Sequence, residues 1–551
     1  MVDSFSSTDY LLESSELPIR DESLVTALIG GNKTFESMED AIITAEESIN
    51  ILAWSFNLEM GLHSSKAIKM LKRNRLRGVH IENTWGYLLL VMSKSVKIRI
   101  ILSDFDPFGN TYRHQLAWAT YRKLVQLSRI IKNDNNKGIE VICSMHDERF
   151  TIPLLGWMPD IIQNSLNPLI GSIFTKQYVN KLKKYSSPNT PLLWRFFNKE
   201  NRAFSVEQLY DSNSLVLYPG TLHEKMCIID AKTAFCGGID VVLGRDRNSW
   251  HDVHCQVKGQ IVNDFVNIFN KRWKEELPKF QSRLLTLNNE KPDFLPNILY
   301  RIPTQKFTPI TNPTLGTGDV LNGHGSSVQA YTTQTIEESY KHAIGSAVRY
   351  IYIENQYLRL VDIARWIIDR LEEVEDLQVI IVLPRKVEEK DKFLTPYGNK
   401  LQLQTLLILK KAFEEVDKRE NLGVFTINKG YLHSKVLIVD DVFAVIGSAN
   451  VNPRSFLLDT ELNLGWFDKI KVNEFREELW NHLLGSPRGL KQWKITEYVN
   501  NWQKVASAKV SRSRRAVHGS VKPFNLMSNR TSQEYKLDTT EFDLDIIARY
   551  I

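Results

Sequence analysis

Two short stretches of this chain carry histidine, lysine and aspartate at identical spacing. LHEKMCIIDAKTAFCGGID at 222–240 and LHSKVLIVDDVFAVIGSAN at 432–450 align without a gap. Each has a histidine (His223, His433), a lysine two residues later (Lys225, Lys435), an aspartate five further on (Asp230, Asp440) and a glycine seven beyond that. Alternation along an extended strand puts the histidine and lysine of one stretch on the same face. Charged groups in apolar strands are expensive to bury, so a purely structural duplication has little reason to keep them. If the two stretches face one another, two imidazoles and two ammoniums converge. That set suits a phosphodiester, because the lysines offset the phosphate charge and the added charge of a pentavalent transition state. One imidazole can attack phosphorus while the other protonates the leaving alcohol and later deprotonates water. Imidazole suits both tasks because it titrates near neutrality. The chemistry requires no metal, and no activating divalent cation is assigned. A lone histidine on an apolar strand is ordinarily a satisfied core residue; two copies of the whole pattern reverse that weighting.

The elements around the motifs repeat as well. Each motif reads as strand, turn, strand, with the turns near Ala231-Lys232 and Asp440-Asp441. Upstream, FESMEDAIITAEESINILAWSF (35–56) and IEESYKHAIGSAVRYIYIENQY (336–357) each read as an amphipathic helix followed by a strand. A further apolar strand follows in each half, at 96–104 and 377–384. Continuous Val/Ile runs between helices predict buried mixed sheets flanked by helices. The expected fold is α/β: two pseudo-twofold-related α/β/α halves with one site at their interface. The expected boundaries are an extension at 1–34, a first half at 35–285 with an insertion about 151–200, a linker at 286–325, a second half at 326–490, and a helix and tail at 491–551. The Pro- and Gly-rich run at 295–319 marks the linker.

Composition sets wider bounds. A chain of 551 residues exceeds what a single core supports, which agrees with a duplicated unit. With 70 basic against 64 acidic residues, the charge is too balanced for a dedicated nucleic-acid binder. Cys143, Cys227, Cys236 and Cys255 show no metal-ligand spacing and read as buried hydrophobes of a reducing compartment. The first twenty residues lack a basic start followed by an apolar core, so no signal peptide is expected. No run is long and apolar enough to predict a transmembrane helix.

At the motifs the sequence resembles the phospholipase D superfamily, whose signature is His-x-Lys-x4-Asp followed by a Gly/Ser-x-Asn-type segment. It is more similar to the larger, eukaryotic-like phospholipases D than to the small nucleases. The residues that carry this are GGIDVVLGRDRNSWHDVHCQVKGQIVNDFVNIFNKRW (237–273), YIYIENQYL (350–358) and IGSANVNPRSFLLDTELNLG (446–465). The resemblance implies that His223 is the nucleophile and His433 the general acid and then base. It implies phosphate contacts from Lys225, Lys435, Asn450 and Ser448, and places Asp252 and Glu461 as carboxylates that orient the opposite half's histidine. Asp230 and Asp440 complete the motifs and are counted with the catalytic set, although a position at a turn points to holding backbone. One departure stands out: Asp240 occupies the place of Asn450, and an acid facing phosphate is unhelpful, so Asp240 is expected to point elsewhere. No PX- or PH-type lipid-binding domain is recognisable before residue 35.

The superfamily contains lipases and nucleases, so the signature gives the bond and not the molecule. Three features lean towards a glycerophospholipid cleaved to phosphatidic acid and free headgroup, with transfer to an alcohol as a variant. They are the resemblance itself, the apolar run at 154–174 with Trp157, Met158 and Phe174, and its basic sequel Lys176, Lys181, Lys183 and Lys184. A core helix-loop-helix is the plain alternative for that run. Lys72, Arg73, Arg75 and Arg77 read as a solvated face, and Arg512, Arg514 and Arg515 as part of a loosely ordered tail. The expected partner is a phospholipid membrane surface and not nucleic acid, met by a monomer. The competing readings are a nuclease with the same intermediate and a degenerate lipid-binding scaffold; intact motifs weigh against the scaffold. A compact chain without recognisable targeting segments also resembles bacterial effectors delivered by specialised secretion, with a peripheral membrane enzyme as the alternative.

Overall fold

The computed structural model describes residues 5–13, 16–74, 76, 82–106, 110–130, 137–147, 150–151, 216–217, 219–290, 325–385, 394–428, 430–508 and 521–524. The apolar run at 154–174 with its lysines, the linker run at 295–319, Arg75, Arg77, Arg512, Arg514 and Arg515 lie outside these residues.

The strands of the first half are β1 (Arg20–Ile29), β2 (Ser48–Ala53), β3 (Lys97–Ser103), β4 (Gly138–Ser144), β5 (Phe150–Thr151), β6 (Val216–Leu217), β7 (Met226–Ile229), β8 (Thr233–Gly237), β9 (Trp250–His251) and β10 (Val253–Lys258). Those of the second are β11 (Ser326–Thr332), β12 (Tyr350–Asn355), β13 (Gln378–Pro384), β14 (Leu422–Ile427), β15 (Tyr431–Leu432), β16 (Lys435–Val439), β17 (Phe443–Gly447), β18 (Leu462–Phe467) and β19 (Val521–Pro523). Fifteen strands form one sheet among the described residues, in the order β19-β14-β13-β12-β16-β17-β18-β11-β1-β10-β8-β7-β2-β3-β4. Read inwards from both ends, β14-β13-β12-β16-β17-β18-β11 repeats β4-β3-β2-β7-β8-β10-β1. In each half three strands run parallel and the rest antiparallel. The halves join where β1 pairs antiparallel with β11. The mixed sheet in each half, with flanking helices, is the expected α/β architecture.

Local sequence explains the elements. In the helix Gly31–Ile42 the buried Phe35, Met38, Glu39 and Ile42 recur at helical spacing, so one stripe faces the sheet. The helix Thr333–Gly345 does the same with Ile336, Tyr340, Ala343 and Ile344. Strands β12 and β13 are buried along their whole length, as a sheet covered on both faces demands. Each buried Ile or Val contributes roughly 1.5–3 kcal/mol of transfer free energy. The four cysteines are buried with free thiols.

Two boundaries move. Strand β1 lies inside the segment expected to precede the first half, yet it is the counterpart of β11 and the first half starts with it. Its mixed burial, polar where it meets solvent, hid it next to the longer apolar runs. At the other end, the residues expected as a loose tail contain β19, which pairs with the edge strand β14. The helix Tyr498–Ser507 covers that part of the sheet through the fully buried Trp502.

Candidate active site

Each motif is a hairpin with its histidine at one end and its aspartate at the other. In both turns the first two residues, Asp230-Ala231 and Asp440-Asp441, have positive φ of 51°, 53°, 58° and 63°. Aspartate tolerates this left-handed region better than most residues. Asp230 accepts the backbone N–H groups of Glu46, Glu47 and Ser48 at 2.8–2.9 Å. Asp440 accepts those of Val348, Arg349 and Tyr350 at 2.8–2.9 Å, and the hydroxyl of Tyr10 at 2.9 Å. Seven residues of extended chain, roughly 20 Å, separate each aspartate from its histidine. Asp230 and Asp440 are therefore not in the reacting set; they fasten the loop that starts β2 or β12.

The histidine ends of the hairpins are set by pairing between the halves. Leu222 bridges Thr460 in parallel, and β15 pairs in parallel with β9. The His223 N–H donates to the Thr460 carbonyl, and the His433 N–H to the His251 carbonyl, both at 2.8 Å. The next residues along, Glu461 and Asp252, are thereby delivered to the opposite half's imidazole. His223 Nδ1 lies 2.9 Å from both Glu461 carboxylate oxygens, and His433 Nδ1 lies 2.7 Å from Asp252 Oδ2. The crossing expected for these carboxylates is what the structure places.

Burial orders the site. Glu461 and Asp252 are fully buried, whereas His223 and His433 keep 8% and 7% exposure, so the histidines lie nearer the surface than the carboxylates that hold them. A carboxylate at Nδ1 selects the tautomer with its proton there and leaves Nε2 as the outward atom. Burial, then the Lys225 charge, holds His223 well below the usual imidazole value. Burial, then Lys435, Arg245, Lys225 and His223, does the same to His433, so the two imidazoles lie within electrostatic reach of each other. Burial also pushes the Lys435 ammonium down to about 7 and the Glu461 carboxyl upwards.

The lysines differ in company. Lys225 Nζ donates to the His223 carbonyl at 2.7 Å and lies 3.6 Å from Asp240. Asp240 thus faces the site instead of turning away, with its other oxygen on the Ser55 N–H at 3.1 Å. Lys435 donates to Gln356 Oε1 at 3.2 Å and to the His433 carbonyl. Asn450 is buried, and among the described residues its side-chain oxygen accepts no hydrogen bond. Ser448 is not a phosphate contact: its hydroxyl donates to Glu461 at 2.5 Å and its oxygen accepts the Leu462 N–H at 3.0 Å. It holds the carboxylate that holds His223.

Several site residues were not singled out by spacing. Trp54 packs edge-on to His223 at 5.3 Å, with the Arg113 guanidinium 3.9 Å from its ring centre. Trp250 packs on His433 at 5.2 Å and on Tyr431 at 4.8 Å, with Arg245 3.5 Å above its ring. Glu354, buried on β12, takes His251 Nε2 at 2.6 Å, the Tyr352 hydroxyl at 2.6 Å and the Ser434 hydroxyl, and so ties β9 to the second motif. The strand register, in which Ile49 pairs with Ile229 and Ile351 with Val439, places Trp54 opposite Gln356; the gapless alignment of 35–56 with 336–357 is one residue out of that register.

Comparison with known proteins supplies the family. Residues 241–397 match the family described as Phospholipase D, and 340–483 the family described as Cardiolipin synthase, PLD-like domain. Residues 241–483 thus match phospholipase D superfamily domains; the match includes His433 and begins after His223. A probable cardiolipin synthase of Bacillus subtilis is 26% identical over 280 residues, covering 48% of this chain and 47% of that protein. Phospholipase D A of Dictyostelium discoideum is 24% identical over 360 residues, covering 50% of this chain and 27% of that protein. The chain spans about half the length, or less, of these relatives. The crystal structure of phosphatidylserine synthase from Haemophilus influenzae covers 89% of this chain and 95% of its own, with 12% identity and a TM-score of 0.47. Among the described residues no His, Cys, Asp and Glu side chains group to hold a metal ion. No helix among the described residues is long and apolar enough to cross a membrane.

Proposed function

We propose that this superfamily chain cleaves glycerophospholipids at the distal phosphodiester, giving phosphatidic acid and free headgroup, or passes the phosphatidyl group to an alcohol. One observation carries the reading: each imidazole is anchored at Nδ1 by the opposite half's carboxylate, which leaves Nε2 of each as the nitrogen available for chemistry. In this reading neutral His223 attacks phosphorus through Nε2. The phosphorus–oxygen bond to the headgroup breaks, and His433 gives its proton to the leaving oxygen. Water or an alcohol then attacks the phosphohistidine while His433 takes back a proton. Burial, and after it the neighbouring cations, lower the proton affinity of His433, and the negative charge of an entering phosphodiester acts in the opposite direction, towards the protonated acid. Lys225, Lys435 and Asn450 take the non-bridging oxygens.

The names of the relatives, cardiolipin synthase and phospholipase D, support a phospholipid. The enzyme then works as a monomer peripheral to a phospholipid surface and without nucleic acid. Delivery into another cell is no part of this reading. The test is incubation of purified protein with a phospholipid panel and single-stranded DNA, with products read by mass. Headgroup release is expected, and His223→Ala and His433→Ala should each lower it by roughly 10³-fold or more. DNA products without lipid products would replace the substrate, and substantial activity in either variant would end the shared two-histidine site.

A further inference from the structure

Two of the four buried thiols stand opposite each other. Strands β8 and β10 pair antiparallel with Cys236 directly across from Cys255, and the two sulfurs are 3.5 Å apart. The Cys255 thiol also donates to the Cys236 carbonyl at 3.4 Å, which turns it towards the other strand. Directly opposed residues of an antiparallel pair have Cα atoms about 4.5–5.5 Å apart, inside the range of roughly 4.4–6.8 Å that a disulfide spans. The sulfurs need to approach by about 1.5 Å to reach a covalent distance of about 2.0 Å, a shift on the scale of side-chain rotation. Among the described residues the other two thiols have different company: Cys227 lies opposite Phe235 and Ile51, and Cys143 opposite Leu102. The second half acts as an internal control. At the same register it sets Ile446 against Leu464, both buried. An apolar pair therefore satisfies the packing at this place, and the fold does not ask for two sulfurs there.

We infer that Cys236 and Cys255 are a disulfide-forming site, closed by a low-molecular-weight disulfide such as glutathione disulfide, and that the bond fastens the segment carrying Asp252. One thiol, as thiolate, attacks the sulfur–sulfur bond of glutathione disulfide; that bond breaks, one glutathione leaves and a mixed disulfide forms. The second protein thiol attacks the mixed disulfide at the protein sulfur, and the second glutathione leaves. Two protons and two electrons pass from the protein pair to the two glutathione molecules. The bond closes residues 237–254 into a ring. Gly238 and Asp252 lie near its two ends, and a Cβ on Gly238 would meet Asp252 Oδ1 at 2.1 Å, so the ring holds together the contact behind the carboxylate that anchors His433. Both thiols are fully buried, and the contact with Cys255, then burial, keeps the Cys236 thiol well above its usual value. Little thiolate forms in the closed sheet, so the bond is made while the strand pair is open, during folding or slow local opening. The redox poise where the chain folds then decides which form the protein takes. The inference holds whichever phosphodiester is the substrate.

The experiment uses the full chain, first reduced and then incubated with glutathione disulfide in urea kept below the unfolding transition, so that strands open transiently. Remaining thiols are blocked with N-ethylmaleimide after denaturation. Trypsin then separates the two cysteines by cutting after Arg245 and Arg247, and the peptides are mapped by mass. Expected is a peptide pair joined through Cys236 and Cys255, two hydrogens lighter than the reduced pair and released by dithiothreitol, with Cys143 and Cys227 carrying the maleimide. Amide exchange across 250–254 should slow roughly threefold or more in the joined form once urea is removed. In Cys255→Ala, or in Cys255→Val if the first variant folds poorly, Cys236 should stop at the mixed disulfide with glutathione. Four maleimide-labelled cysteines in the wild type, a mixed disulfide that persists there, or joining through Cys143 or Cys227 overturns the inference. Joining with unchanged exchange overturns the fastening of Asp252.

Discussion

The two halves have the same strand order and the same hydrogen-bonded crossing, yet the side chains around their histidines are not copies. In the second half a long carboxylate, Glu461, reaches across to His223 and is steadied by the Ser448 hydroxyl. In the first half the short Asp252 does the equivalent task for His433 and is steadied by the backbone N–H of Val253 at 2.9 Å. Where the second half has Ser448, the first has Gly238, and a Cβ there would lie 2.1 Å from Asp252 Oδ1. The pairs Ser448–Glu461 and Gly238–Asp252 are alternative solutions to one problem, each internally matched. Charge differs more: Lys225 faces the carboxylate of Asp240, whereas Lys435 faces the amide of Gln356. The duplication makes the geometry twofold and leaves the first contact of each lysine different, a carboxylate for Lys225 and an amide for Lys435.

The comparison can be broken at the carboxylates. Asp252→Asn and Glu461→Gln should each lower kcat by roughly 10²-fold or more with little change in KM, because each removes the charge that supports an imidazolium and selects its tautomer. Equal losses in kcat and in binding would point to a folding defect. A smaller effect is expected one layer back. Gly238→Ala should displace Asp252 and cost about tenfold in kcat, and Ser448→Ala should cost a few-fold, about the worth of one hydrogen bond to a charged group. Similar losses from both would erase the distinction between a carboxylate held by backbone and one held by a hydroxyl. The smallest effect concerns pH. A lysine whose pKa is lowered to about 7 is cationic below that value and loses its charge above it. Affinity of the resting protein for sulfate, which does not titrate in this range, should fall as pH rises from 6 to 9. Lys435→Arg, permanently charged, should flatten that fall. A wild-type affinity independent of pH would contradict a Lys435 that loses its charge near neutrality.

Much of this was legible in the chain because duplication exposes what a single copy hides. Two gapless motifs named His223, Lys225, His433 and Lys435, and a resemblance placed Asp252 and Glu461 on the opposite histidine. Other residues were misplaced for a common reason. Asp230 and Asp440 share the motif with the reacting groups, but a strand of fixed rise carries them to its far end, where three backbone N–H groups claim each carboxylate. Ser448 is near the phosphate site in sequence and turned to Glu461 by its strand. Strand β1, with no motif and a mixed pattern, could be recognised only from its partner β11.

The sequence by itself determined the paired histidines and lysines and the twofold plan, because spacing and residue type survive as text. Only the tertiary structure decided which oxygen steadies which carboxylate, that Asp240 faces Lys225, and that arginines cover the rings beside His433. Those relations join residues from separate strands and opposite halves. They depend on chain crossings between Leu222 and Thr460 and between β9 and β15 that no local pattern encodes.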